Sequence, residues 1–443
     1  MERAKARQIL RIALPLILQQ LCMQMQLWID RAMLGHVDAA FFSALGNATI
    51  PYHMVISAIT AVCGGTAILT AQGIGSGNLN KVRDAAEASF LGSGLISTAA
   101  FGFFLFCSGA LFRLMGVQSP ILEYATDYIR ILSFSMLLLG PSATATAILQ
   151  GFGYTGLIMT AGIAGNLLNI VLDWLLIFGK WGLPAMGLEG AALATVIANA
   201  VSSLLLILFV LKGKQMPFRI RLLGSFGKKL RNYRQVFALG FPSMLEYALW
   251  NVGNVVLVSY LNRLDIMSAG IYTLVFSVEN VPLLIYMGFA NAGLTLVGQQ
   301  TGANSPKQAR RTGVLCLCFS LAVCVGIGIV FRAFPRQILG LFTDDAVTLD
   351  AAVPNLVFIT WVLFPKAINN VIGLCIRGMG DTRWMFYTQI FGTAFMIFGG
   401  YYWILVSGLG LTGIFVTFLL DESIRGIANL TRFLWGKPVA AVK

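Results

Sequence analysis

Residues 148–156 read ILQGFGYTG, and residues 375–383 read CIRGMGDTR. The two stretches lie 227 positions apart, and at that spacing Gly151, Gly153 and Thr155 fall on Gly378, Gly380 and Thr382. Outward in the same register, Pro15 falls on Pro242, Gln72 on Gln299, Gly75 on Gly302 and Arg83 on Arg310. Toward the C-terminal end the spacing shortens to 223, so that Gly187 and Gly190 meet Gly410 and Gly413. Helix-breaking residues that recur at one spacing over half a chain imply duplication of a multi-helix unit. In membrane proteins two such units usually enclose a transport route.

Between these markers the chain is apolar: 57% of its residues are hydrophobic and only 11% are charged. A soluble protein of this length needs more charge on its surface. Twelve runs reach the ~20 residues that a helix needs to cross the bilayer core. Six lie at about 10–35, 45–72, 89–113, 124–150, 156–179 and 186–211. The other six lie at about 235–261, 268–299, 312–332, 351–376, 385–406 and 409–431. The expected fold is an all-α integral membrane protein of twelve transmembrane helices in two six-helix repeats. Six is even, so both repeats start on one side of the membrane and are parallel. The expected lobes are 1–211 and 235–443, joined by a basic linker at 212–234 that lies in the cytoplasm and touches phospholipid.

The net charge of +13 has a topological explanation. With the N-terminus in the cytoplasm, 22 of the 31 Lys and Arg residues lie inside. Arg31, Arg113, Arg130, Lys180, Arg263, Arg332 and Arg336 lie outside, and Lys366 and Arg425 lie within spans. This bias puts both termini in the cytoplasm, in a cell (inner) membrane, and makes nucleic-acid binding an unnecessary explanation of the charge. The first apolar run is too long for a cleavable signal peptide and lacks a small-residue cleavage site. All seven cysteines lie within the apolar runs, and with only His36 and His53 no zinc site is expected.

Ionisable residues inside spans are costly and usually face a polar cavity or a partner. On the first span Pro15, Gln19, Met23, Gln26 and Asp30 follow one another at steps of three and four, which places them on one helix face. Pro15 removes a backbone donor and is expected to bend or loosen that helix. On the fifth span Asn166, Asn169 and Asp173 share a face, and two amides with a carboxylate could hold a proton or a sodium ion. Asp30 lies five residues before Gly35 and Asp173 six before Gly179. At 1.5 Å per residue both sit roughly 8–9 Å below the outer helix ends. Thr195 on the sixth span reaches a similar level. The competing readings are an interfacial Asp30 and an Asp173 cluster that serves as packing between helices. The positions equivalent to Asp30 and Asp173 in the second repeat are Leu257 and Met396 or Gly400, so the acidic pair belongs to one lobe.

Glu246, with Trp250 one turn later, combines a carboxylate and an aromatic ring that could attract an organic cation, or else bonds within its own lobe. Glu279 reads as structural, Lys366 as a neutraliser of one of these carboxylates, and Asp421 with Arg425 as a structural i, i+4 ion pair.

Over essentially its full length the chain resembles the multidrug and toxic compound extrusion (MATE) transporters. The resemblance is carried by ALPLILQQLCMQMQLWIDRAMLG, by AQGIGSGN with GQQTGANSPKQAR, by ILQGFGYTG with CIRGMGDTR, and by GNLLNIVLDWLLIFG and GLPAMGLEGAALAT. It implies two six-helix bundles around a V-shaped cleft and alternating access driven by protons or sodium ions. It carries the family's helix-one proline and aspartate onto Pro15 and Asp30, its helix-five pair onto Asn169 and Asp173, and its helix-six threonine onto Thr195. Gln19, Met23, Gln26, Glu246 and Trp250 then stand as substrate-cavity candidates. The acidic pair looks most like the prokaryotic DNA-damage-inducible-protein branch, whereas Glu246 departs in position from the C-lobe glutamate of other branches.

The expected function is secondary antiport, exporting amphipathic or cationic small molecules against protons or sodium ions. The expected protein is a monomer without cofactor, and its only metal is sodium at Asp30 and Asp173. A flippase for lipid-linked sugars is the alternative, disfavoured because the cavity candidates are mostly acidic. An enzyme is not expected, since the chain has no P-loop, HExxH or GxSxG pattern.

Overall fold

Lipid offers no partner for backbone polar groups, so an apolar run satisfies them internally as a helix. The computed structural model describes residues 2–35, 39–221, 225–264 and 266–436, and all regular structure there is helical. His36 and linker residues 222–224 lie outside the described residues. In the first repeat the helices are α1 (Glu2–Gly35), α2 (Ala39–Gly75), α3 (Leu79–Leu114), α4 (Ile121–Ser133), α5 (Met136–Phe152), α6 (Thr155–Phe178) and α7 (Gly187–Lys212). In the second they are α8 (Phe226–Asn262), α9 (Ile266–Gly302), α10 (Pro306–Ala333), the short α11 (Pro335–Leu339), α12 (Ala346–Gly378), α13 (Thr382–Gly400) and α14 (Leu411–Trp435). A π-helical segment, Tyr401–Val406, prolongs α13.

Among the described residues, nine helices are long and apolar enough to cross a membrane, and α4 with α5, bent by 50°, makes a tenth. The two passages that fall short, α8 and α14, have the length but carry charge. In α8 the stretch beyond the basic first turns carries Glu246 together with Asn251 and Asn254, which lower its hydropathy. In α14 the charge is the triplet Asp421, Glu422 and Arg425, which is buried inside the protein. The helical passages therefore follow the order and approximate limits of the twelve apolar runs.

The duplicated glycine turns are duplicated in geometry. Gly153, with φ of 79°, ends α5: its N–H donates to Gln150 O, and Tyr154 N–H donates to Leu149 O, both at 2.8 Å. Gly380, with φ of 93°, ends α12 with the same two bonds, to Arg377 O at 2.8 Å and from Asp381 N to Ile376 O at 3.2 Å. A left-handed cap of this kind suits glycine, which has no Cβ to clash. Gly151 faces Thr70 and Ala67 of α2, and Gly378 faces Leu294 of α9, the repeat equivalent of Ala67.

The chain forms two compact units, Leu18–Met244 and Met1–Ile17 with Leu245–Lys443. These differ from the halves read from sequence, because the cuts fall inside α1 and α8 rather than at the linker. The two cuts are equivalent positions of the repeat, just after Pro15 and Pro242. Small residues make the exchange feasible. Gly240 and Val236 of α8 lie directly against Val62 and Gly65 of α2, while Ala13 and Ile17 of α1 lie against Gly288 of α9. Each unit has its own apolar core, one around Phe104, Phe112, Ile129 and Met136, the other around Leu257, Val275, Leu356 and Phe415.

Candidate functional site

The polar faces read on α1 and α6 meet inside the unit Leu18–Met244. Gln26 is the bridge. Its Nε2 donates to Asp30 Oδ2 at 3.3 Å and to Asn169 Oδ1. Asn169 Nδ2 reaches Thr195 Oγ1 on α7 at 3.5 Å, and that hydroxyl donates to Ala191 O at 2.9 Å. Asn166 is oriented so that both ends of its amide are satisfied: it donates to Gln26 Oε1 at 2.8 Å and accepts the backbone N–H of Met23 at 3.1 Å. An amide orientation is assigned from such a network. A side chain of α6 thus holds a main-chain donor in the middle of α1.

Asp173 is 1% exposed, and neither of its oxygens has a donor among the described residues; nor has Asp30 Oδ1. The two carboxyl groups lie within hydrogen-bonding reach of each other. Two ionised carboxylates at contact repel by about 4 kcal/mol at an effective dielectric constant of 20, so the site favours a shared proton or a bound cation. Its oxygens, from carboxylates, side-chain amides and Thr195, are hard ligands of the kind sodium takes. A small cavity beside the pair is lined by Gln26, Asn166, Asn169 and Thr195, and also by Asn199 and Ser202. Sequence reading missed the last two, although Thr195, Asn199 and Ser202 have the four-and-three spacing of one helix face. It also missed Tyr128 of α4, which is buried within reach of both carboxylate charges. A single tyrosine in an apolar run gives no signal.

The remaining sequence candidates do not join this cluster. Gln19 lies along α6 where Gly162 leaves room for it, and the Met23 side chain is 43% exposed. Pro15 is accommodated within a continuous α1. Glu246 and Trp250 belong to the other unit. There Glu246 forms an ion pair with Arg377 Nη2 at 2.6 Å, and Trp250 stacks with Tyr247. The cation-attracting charge read at Glu246 is thereby already matched by a guanidinium. The equivalent first-repeat positions, Gln19 and Gln150, are both uncharged.

In this second unit every buried carboxylate has a cationic or amide partner. Lys366 Nζ is 2.5 Å from Glu279 Oε1 and lies between the Phe276 and Phe418 rings. Arg425 binds both oxygens of Asp421 and donates to Gln389 Oε1 at 2.8 Å. Trp384 donates to Asn429, Asn429 to Asn369, and Asn369 to Glu422 Oε2 at 2.6 Å. The neutralising lysine and the i, i+4 pair were legible in sequence. Glu422 and the amide chain were not, although Asp421, Arg425 and Asn429 sit four apart.

A duplicated bundle of membrane-spanning helices, with carboxylates facing amides in one unit and cations in the other, defines a membrane transporter rather than an enzyme. The MatE family matches residues 15–175 and again 242–402, at the offset of the internal repeat, and the chain belongs to that family. Among its relatives, the probable multidrug resistance protein NorM of Thermotoga maritima is 27% identical over 443 residues, which cover 97% of this chain and 92% of that one. The uncharacterized transporter YisQ of Bacillus subtilis is 24% identical over 411 residues, covering 91% and 89%. A solved MOP-superfamily transporter from Pyrococcus furiosus, described as having a binding pocket of reverse polarity, superposes with a TM-score of 0.89 at 20% identity, covering 98% and 95%. A likeness at that identity shows the fold alone.

Proposed function

We propose that the protein is a secondary antiporter that exports amphipathic or cationic small molecules in exchange for protons or sodium ions. The observation that carries this reading is the Asp30–Asp173 pair: two carboxylates from two helices of one unit, flanked by amides and a hydroxyl, with no cation bonded to them among the described residues. Such a pair is stable when it holds a proton or a cation and costly when it is empty. The relatives' description as multidrug resistance proteins supports a substrate range of this kind.

In the mechanism, a proton or sodium ion at the pair removes negative charge from this unit. Gln26 and Asn166 pass that change to α1, where Pro15 leaves the hydrogen-bond ladder incomplete. Substrate affinity then falls, and by linkage bound substrate disfavours the cation by the same free energy. For a cationic substrate the sign follows: affinity rises with pH as the pair loses its proton.

We place the protein in the cell membrane as a monomer, with both termini and the 212–234 linker in the cytoplasm, where basic side chains meet anionic lipid. Thiol labelling of Ser225→Cys in intact cells checks the orientation; strong labelling from outside reverses it. The function is tested in vesicles with imposed proton or sodium gradients, measuring efflux of an organic cation by the wild type, Asp30→Asn and Asp173→Asn. Gradient-driven efflux that both variants lose is the expected result. Efflux unchanged in both, or gradient-independent movement of a lipid-linked sugar alone, overturns it.

A further inference from the structure

We propose that Glu422 on α14 is a second proton-binding carboxylate, located in the unit Leu245–Lys443 and independent of the Asp30–Asp173 pair. The argument begins with pairing. The Glu246–Arg377, Glu279–Lys366 and Asp421–Arg425 contacts match three buried or half-buried carboxylates with three cations. Glu422, 4% exposed, is the carboxylate left over. Its Oε1 is 3.4 Å from Arg425 Nη2, but that nitrogen already lies 2.5 Å from Asp421 Oδ2. Glu422 is therefore a secondary partner of a guanidinium that is taken. A buried carboxylate without its own cation is costly when ionised, and a proton removes the cost.

The surroundings suit both charge states. The chain Trp384, Asn429, Asn369 delivers one neutral donor to Oε2, which supports the ionised form without cancelling its charge. On α9 the Tyr286 hydroxyl is a buried polar group without a hydrogen-bond partner among the described residues, near enough to be acted on by the Glu279 and Glu422 charges.

The polar and titratable groups around Glu422 come from five elements. From α9 come Glu279 and Tyr286, and from α12 comes Lys366, already bound to Glu279. From α13 come only the neutral Gln389 and Trp384, and on α14 itself stand Asp421 and Arg425. Glu246 of α8, paired with Arg377 of α12, lies near enough to act on Arg425. No uncommitted cation is among them. Gly392 explains why the cluster fits: a Cβ there would collide with Arg425 Nε at 2.6 Å and Asp421 Oδ1 at 2.7 Å.

The test uses the full-length protein in lipid nanodiscs, read by infrared difference spectroscopy across a pH titration. The background is Asp30→Asn with Asp173→Asn, which silences the first pair whatever its role. A pH-dependent carbonyl band of a protonated carboxyl group should persist in that background and vanish when Glu422→Gln is added. Should Glu422→Gln fail to fold, Glu422→Asp takes its place, and the band should shift rather than vanish. A proposal of pure packing requires Glu422 to keep one charge state throughout. No titrating carboxyl band in the double-variant background, or a band that neither Glu422 substitution alters, overturns the inference. Transport activity does not enter either outcome, so failure of the antiport reading leaves this result intact.

Discussion

Where α6 crosses α7, Gly165 lies against Ser202, with Asn199 nearly one turn before it. Where α13 crosses α14, the equivalent Gly392 lies against Arg425, with Glu422 in the place of Asn199. The backbone device is shared: a glycine that lets two helices approach and a polar residue on the partner. The charges are not shared. In the first unit the acid sits on α1 and α6 and has amides for neighbours. In the second it sits on α8, α9 and α14, and Arg377, Lys366 and Arg425 stand beside it. A buried carboxylate with a bonded cation is locked, since removing either partner strands the other. A buried carboxylate with only neutral donors keeps a place for an ion that comes and goes. One duplicated frame thus carries a cation-paired polar core in one unit, with Glu422 as the exception, and a candidate exchange site in the other.

The sharpest way to break this comparison is Asp173→Asn. It should lower ion-driven efflux by about 100-fold, the upper range of a typical coupling free energy, while thermal stability in detergent stays level or rises because a repulsion is relieved. Loss of folded protein instead would make Asp173 a packing residue like those of the second unit.

Arg425→Met should do the opposite. It strands Asp421 and Glu422 in the interior and should cost about 3–5 kcal/mol of stability, seen as loss of monodisperse protein in size-exclusion chromatography. A variant as stable as the wild type would mean that the cluster is not locked.

A finer measurement is a double-mutant cycle on the 2.5 Å Lys366–Glu279 pair. Lys366→Met alone should cost about 3 kcal/mol, and combining it with Glu279→Leu should recover most of that, since an apolar replacement of a buried pair is often neutral. Additive losses would assign each residue a separate role.

The smallest expected effect concerns the shared frame. Gly151→Ala and Gly378→Ala each push a methyl group into the facing helix and should cost about 1–3 kcal/mol, equal to within about 0.5 kcal/mol if the turns are equivalent. Unequal melting shifts would show that the two repeats have diverged in packing as well as in charge.

Sequence alone determined what depends on local spacing. The apolar runs give the helical passages, because a helix is the way for such a run to bond its own backbone in lipid. The glycine pairs give the turns and the duplication. The three-and-four spacing of Gln26 and Asp30, and of Asn166, Asn169 and Asp173, gives two polar faces, and equal depth suggests that they meet. Two helices, α8 and α14, are less apolar than their neighbours because they carry buried charge, which is matched by the distant Arg377 for Glu246 and by Arg425 one turn on for Asp421. Only the tertiary structure decided which cation Glu246 and Glu279 receive. Glu279 and Lys366 are 87 residues apart, and Glu246 and Arg377 come from helices that no local pattern links. It also decided that Tyr128 borders the acidic pair, and that the starts of α1 and α8 belong to each other's units. The physical reason is that periodicity fixes which way a side chain leaves its own helix, while pairing depends on which other helix lies within a few ångströms.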